Sequence, residues 1–189
     1  MDMNRREALI RMALLIGAST VGLRLQSAEP AAKPGEGGVT WDTGDLALLD
    51  EIGDTIIPET DVPGAKAAGI GAFIAMMLRD CYSSQEQAVV HEGVANLAKT
   101  FETRFGVPFI RGKAEDRTAF LNELDREQKH ATAERHAGPH YFRVLKELTV
   151  LGYFSSEIGG TKALQYVEVP GGFNGSAPYK KGDRSWWFA

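Results

Sequence analysis

The chain has 189 residues, 43% of them hydrophobic, a formal net charge of −4 and one cysteine. That length suits one domain with a real core, and the hydrophobic content does not call for burial in a membrane. The acidic balance argues against nucleic acid as a partner, and a single cysteine excludes an internal disulfide or a thiolate cluster for zinc or iron–sulfur.

The first 28 residues read as an export signal. Arg5 and Arg6 stand side by side, Leu9 and Ile10 follow, and a short apolar stretch runs from Met12 to Ala18. The stretch is too short to be read as a membrane span, and a basic start with a short apolar middle is the pattern of a signal segment. The Arg-Arg pair with its apolar flank resembles a twin-arginine signal, used for cargo that folds before export. The cleavage site is poor, since Gln26 precedes Ala28 by two positions, which leaves both weak cleavage and retention as an anchor open. Removing these residues takes away four arginines and two carboxylates and leaves a body near −6.

Residues 29–39 are rich in Pro, Ala and Gly and form a linker. The folded domain is expected over residues 40–189 and to be mainly α, a single unit of five or six helices with an irregular aromatic tail. The first helix is predicted over about 44–57, capped by Asp42 or Thr43, with Leu46, Leu49, Ile52, Gly53 and Ile56 on one apolar face. Pro58 disfavours the helical conformation at Ile57 and should stop it. Thr60 and Asp61 can bond local backbone, and Val62, Pro63 and Gly64 make a stiff turn followed by a permissive residue.

The second helix is expected over about 65–82 with Phe73, Met76, Met77 and Leu78 on its apolar side, Gly69 and Gly71 allowing another backbone close, and Cys81 a buried thiol. The third runs over about 84–105, begun by the capping-box pairs Ser83 with Glu86 or Ser84 with Gln87, faced by Val90, Val94, Leu97, Phe101 and Phe105, and ended by Gly106 and Pro108. The fourth, 115–132, is polar apart from Ala119, Phe120, Leu121 and Leu124, so it should lie at the surface. The fifth, about 139–152, should turn Tyr141, Val144, Leu145, Leu148 and Leu151 inward. Ser155 or Ser156 should cap a short sixth helix holding Leu164. From Val167 onward helical periodicity is lost, and Phe173, Tyr179, Trp186, Trp187 and Phe188 punctuate the tail.

Sites for catalysis are hard to find. No glycine-rich turn stands between a strand and a helix, so no flavin or nicotinamide fingerprint is present, and there is no haem-attachment motif. The best metal candidates are His130, Glu134, His136 and His140, but Gly138 and Pro139 break the helix between the last two. Solvated histidines flanking a turn are the commoner use. Ser155, Ser156 and Glu157 could be imagined as a nucleophile with a carboxylate, though helix capping is far commoner.

Two blocks carry a resemblance. The run from Ile56 to Gly69 reads Ile-Ile-Pro-Glu-Thr-Asp-Val-Pro-Gly-Ala-Lys-Ala-Ala-Gly. The second block runs from Gly152 through Tyr153, Phe154, Ser155, Ser156, Glu157, Ile158 and Gly159, then Leu164, Gln165 and Tyr166 to Pro170 and Gly171. Together they resemble the gluconate 2-dehydrogenase subunit 3 family, over about residues 40 to 180. The resemblance implies a small subunit with no catalytic, cofactor-binding or metal-binding residues of its own. Its implied partner is a large flavin-dependent dehydrogenase of the glucose–methanol–choline type, holding FAD and acting on a sugar or sugar acid in the periplasm, often with a cytochrome c subunit. It also implies that the folded pair is exported on the small subunit's signal, here Arg5 and Arg6, through the twin-arginine machinery. The expected partner interface is Ile57, Pro58, Tyr153, Phe173, Tyr179, Trp186, Trp187 and Phe188, with the two blocks shaping the docking surface or the turns behind it. The alternative is a small periplasmic helical metal-binding protein or enzyme using His130, His136 and His140. A third reading is a membrane-attached structural protein with its tail at the headgroups.

Overall fold

The computed structural model describes residues 38–133, 140–169, 171–172, 175–176 and 178–186; the side chains of 131–133 are not among those described. Arg5, Arg6 and the rest of the signal and linker up to residue 37 lie outside the described residues, as do Glu134, His136, Pro170, Phe173, Trp187 and Phe188. Among the described residues there are five α-helices: α1 Thr43–Ile56, α2 Ile70–Cys81, α3 Ser84–Phe105, α4 Ala114–Ala133 and α5 Tyr141–Ser155. The only strand-like pairing among them is one isolated bridge, so the domain is all-α.

α1 starts where Asp42 and Asp45 cap each other: the Asp42 carboxylate accepts from the Asp45 N–H at 2.8 Å, and the Asp45 carboxylate from the Asp42 N–H at 3.1 Å. It stops before Pro58, with Ile57 already out of the helical region at φ −126°. Leu49, Ile52 and Gly53 face inward, with Ile56 packed at the edge.

The second helix is shorter than its sequence suggests. Lys66–Ala68 form one 3₁₀ turn, and Gly69 then adopts a left-handed conformation at φ 68°. That residue breaks the helix, and α2 starts afresh at Ile70. The buried line of α2 is Ile70, Ile74 and Leu78; Phe73 and Met77 are half-buried and Met76 is exposed. Steps of four from Ile70 lead to Tyr82, which packs against the core, and Cys81 beside it is exposed rather than buried.

α1 and α2 touch backbone to backbone. A Cβ on Gly71 would stand 2.4 Å from the Leu46 carbonyl oxygen, so only glycine fits there. The Gly71 N–H donates to the Asp50 carboxylate at 2.7 Å. Asp50 thus caps α2 from a neighbouring helix and places negative charge at its N-terminus.

α3 has the Ser83–Glu86 capping box and ends at left-handed Gly106. Val90, Val94, Leu97 and Phe101 are buried along it. Phe101, Phe105, Phe109 and Phe120 form an aromatic cluster joining α3, the following 3₁₀ turn Phe109–Arg111 and α4. α4 keeps only Phe120 and Leu121, with Leu124 at the margin, against the core, as its polar sequence requires.

α5 crosses both α2 and α3. A Cβ on Gly152 would meet the Phe73 ring at 2.5 Å, and one on Gly93 the Tyr141 ring at 2.2 Å. Phe142, Leu145, Leu148, Thr149, Gly152 and Tyr153 face inward. Leu151, expected inward from its spacing after Leu148, is 52% exposed, because Gly152 and Tyr153 take the packed positions of that turn. The expected sixth helix is a π turn, Gly159–Ala163, and Leu164 ends it rather than lying inside. Each fully buried Leu, Ile or Phe in this core contributes about 1.5–3 kcal/mol relative to exposure. No described helix is long and apolar enough to cross a membrane.

Candidate functional site

The two sequence blocks meet in space. The first is a loop from Ile57 to Ala65, closed where the Ala65 N–H donates to the Ile57 carbonyl at 2.9 Å. Inside it the Thr60 N–H bonds the Val62 carbonyl at 3.0 Å. Gly64 sits among polar atoms, and a Cβ there would meet the Asp54 carboxylate at 2.5 Å and the Glu59 nitrogen at 2.7 Å. Asp54 also accepts from the Lys66 N–H at 3.3 Å. The C-terminal side of the loop is therefore held from α1, by Asp54 at Lys66 and by Asp50 further on at Gly71.

The second block reaches it through Tyr153. This side chain is 3% exposed, and its phenol donates to the Pro63 carbonyl at 2.7 Å. Burial pushes the phenol pKa up, so it stays a donor. Tyr153 thus braces the loop from behind and contributes little surface. Ile57 is half-buried against the core, whereas Pro58 is exposed.

Beside the loop lies an ion cluster that the residue pattern did not reveal. The Glu51 carboxylate, buried on α1, accepts from Lys66 Nζ at 2.7 Å and pairs with Arg117 of α4. Burial lowers the Arg117 pKa. Its guanidinium stands 5.9 Å from the Phe109 ring, and its Nε is buried without a hydrogen-bond partner. The sequence signal was slight: a carboxylate one position from the buried Ile52, on an otherwise apolar face.

The tail turns back toward the same region. The Gln165 N–H donates to the Ser185 carbonyl at 2.9 Å, forming a parallel bridge between Gln165 and Trp186. The Gln165 amide donates to the Arg184 carbonyl at 2.8 Å. Arg184 lies 4.0 Å from Asp61 at the tip of the loop. Tyr179 and Trp186 are 74% and 62% exposed, so these two aromatics are presented outward. Of the expected interface residues, the structure gathers Ile57, Pro58, Tyr153 and Trp186 around the loop and tail.

Of the catalytic and metal candidates, His140, Ser155 and Ser156 bond local backbone. His140 caps α5, its Nδ1 accepting from the Phe142 N–H at 3.3 Å, and its ring stacks on Tyr141. His130 is exposed on α4. Ser155 donates to the Leu151 carbonyl at 2.7 Å and Ser156 to the Tyr153 carbonyl at 2.7 Å. Ser156 also accepts from the Gly159 N–H at 3.0 Å, which starts the π turn. Among the described residues no group of three or more His, Cys, Asp or Glu side chains could hold a metal ion.

No curated protein and no solved structure matches the chain. The profile of the family described as gluconate 2-dehydrogenase subunit 3 matches residues 44–171, a span that runs from the first turn of α1 through the Ile57–Ala65 loop, Tyr153 and the π turn. Well over half of the sequence lies within that match, and the chain belongs to the gluconate 2-dehydrogenase subunit 3 family.

Proposed function

We propose that this chain is a non-catalytic small subunit that binds, stabilises and co-exports a flavin-dependent dehydrogenase of the glucose–methanol–choline type. The observation that supports it is the family match across both sequence blocks, which the Tyr153–Pro63 hydrogen bond joins into one unit. In this reading the FAD and the oxidation of a sugar or sugar acid belong to the large subunit, with a cytochrome c subunit as a further partner. The small subunit acts through surface alone: the loop around Pro58 and the outward aromatics Tyr179 and Trp186, together with Phe173, Trp187 and Phe188.

The location proposed is the periplasm, reached by the twin-arginine route on Arg5 and Arg6, with the pair folded before export. Changing both arginines to lysine should hold the small subunit and its dehydrogenase partner in the cytoplasm. Normal dehydrogenase activity in the periplasm of that double variant would exclude co-export. Failure of the two chains to co-purify from cells expressing both would exclude the accessory role itself.

A further inference from the structure

An open groove of about 600 Å³ runs between the C-terminal end of α4 and the outer side of α5. Val150 and Leu151 form its apolar part, 42% and 52% exposed, and Gln128, Lys129, Arg143, Lys146 and Glu147 line the rest. On α5 the positions 143, 147, 150, 151 and 154 fall on one stripe, opposite the buried Phe142, Leu145, Thr149 and Gly152. Phe154, 38% exposed, continues that stripe toward the π turn.

The groove lining is locally basic on an acidic body. Lys129 and Lys146 share the Asp125 carboxylate at 2.6 and 2.5 Å, and Arg143 pairs with Glu147 at 2.7 Å. Three cations stand against two carboxylates here, on a domain where acidic residues outnumber basic ones. The cations of these pairs are solvent-exposed. Each ammonium keeps donors beyond the one given to Asp125. An apolar centre with a rim of spare cationic donors fits a chain segment that offers a large apolar side chain flanked by carboxylates.

We propose that this α4–α5 groove docks such an acidic-flanked apolar segment of the large dehydrogenase subunit, as a second contact separate from the loop and tail. The inference rests on the accessory-subunit reading above. Anchors of this kind, an apolar side chain in a pocket with a polar rim, carry most of the binding energy in protein interfaces.

The test is retention on a tagged flavoprotein chain co-expressed with this one. Leu151→Glu should lower retention at least tenfold, and Arg143→Glu at least threefold, with unchanged helical circular dichroism. Ile110→Glu, an equal change at an exposed residue near the opposite end of α4, should retain normally. Retention of both groove variants at the unaltered level overturns the proposal, as does an equal loss with Ile110→Glu. A dimer of the small subunit that Leu151→Glu dissociates while the flavoprotein is still bound would assign the groove to a second copy and overturn it too. If the unaltered chain is not retained at all, the accessory reading fails first and this proposal falls with it.

Discussion

The phenol of Tyr153 and the carbonyl of Pro63, 90 residues apart in sequence, share a 2.7 Å hydrogen bond. It ties the middle of the second sequence block to the loop of the first. A proline carbonyl in a stiff turn has no helical partner, and a buried acceptor without one is costly.

Removing the hydroxyl should show that cost. Tyr153→Phe keeps the ring in the core and leaves the Pro63 carbonyl unsatisfied. A loss of about 1 kcal/mol is expected, or roughly 2–4 °C in Tm for a domain of this size. Thermal unfolding followed by circular dichroism measures it. An unchanged Tm would mean the loop holds its shape without this bond.

The Glu51–Arg117 pair should be asymmetric. Glu51→Ala strands a buried guanidinium whose Nε already has no partner, and should cost about 3 kcal/mol. Replacing both partners by apolar residues, Glu51→Leu with Arg117→Met, should cost less than the single change, because no charge is left buried. Denaturant unfolding of the two variants beside the unaltered chain tests this; a double variant worse than Glu51→Ala would show that the pair itself stabilises the fold.

Acid sensitivity should trace in part to Asp125. Hydrogen bonds from Lys129 and then Lys146 hold its carboxyl down from 3.8 to about 2. A depressed carboxyl favours the fold while it is ionised, so this contribution is present above pH of about 4 and lost as pH falls through about 2. Asp125→Asn should therefore lower Tm at neutral pH, and its difference from the unaltered chain should shrink between pH of about 4 and 2. A difference that stays constant down to the lower pH would assign the Asp125 contribution to packing.

The tail makes a separate prediction. Deleting residues 180–189 removes Trp186 and the strand-like pairing to Gln165 but no residue of any described helix. Co-purification with the dehydrogenase should weaken tenfold or more, about 1.4 kcal/mol, with helical signal intact. Loss of the helical signal would make the tail part of the core, and normal binding would place the docking surface elsewhere.

Local chemistry made much of this fold readable. Ser83 with Glu86 marked the start of α3, Gly106 its end, and Pro58 the end of α1, because each acts on its own turn of backbone. The faces were harder. On α2 the run from Phe73 to Leu78 is apolar on nearly every side, so spacing could not choose between Met76 and Ile74; the close contact at Gly71 decided it. Leu151 repeats the inward spacing of α5 yet faces solvent, since Gly152 and Tyr153 pack in that turn. Gly69 could have been a helix interior residue or a break, and only its left-handed backbone distinguishes them. For the site, the two blocks were visible in sequence but their junction was not, because a hydrogen bond across 90 residues leaves no local trace. Glu51 and Arg117 escaped for the same reason: each looks like a surface charge until the other is placed beside it.

Gln87 gives the domain a mechanical entrance. Its buried amide accepts from the Val39 N–H at 3.2 Å and donates to the Tyr82 carbonyl at 3.0 Å. A Cβ on Gly38 would lie 2.3 Å from the same oxygen, and Trp41 follows with its ring against His91, also on α3. Tension entering the domain through Gly38 would therefore load α3 at Gln87 and His91 before it reached the first turn of α1. Pulled from that end in an optical trap, the domain should resist until α3 is disturbed, and Gln87→Ala should lower the force at which the first extension appears.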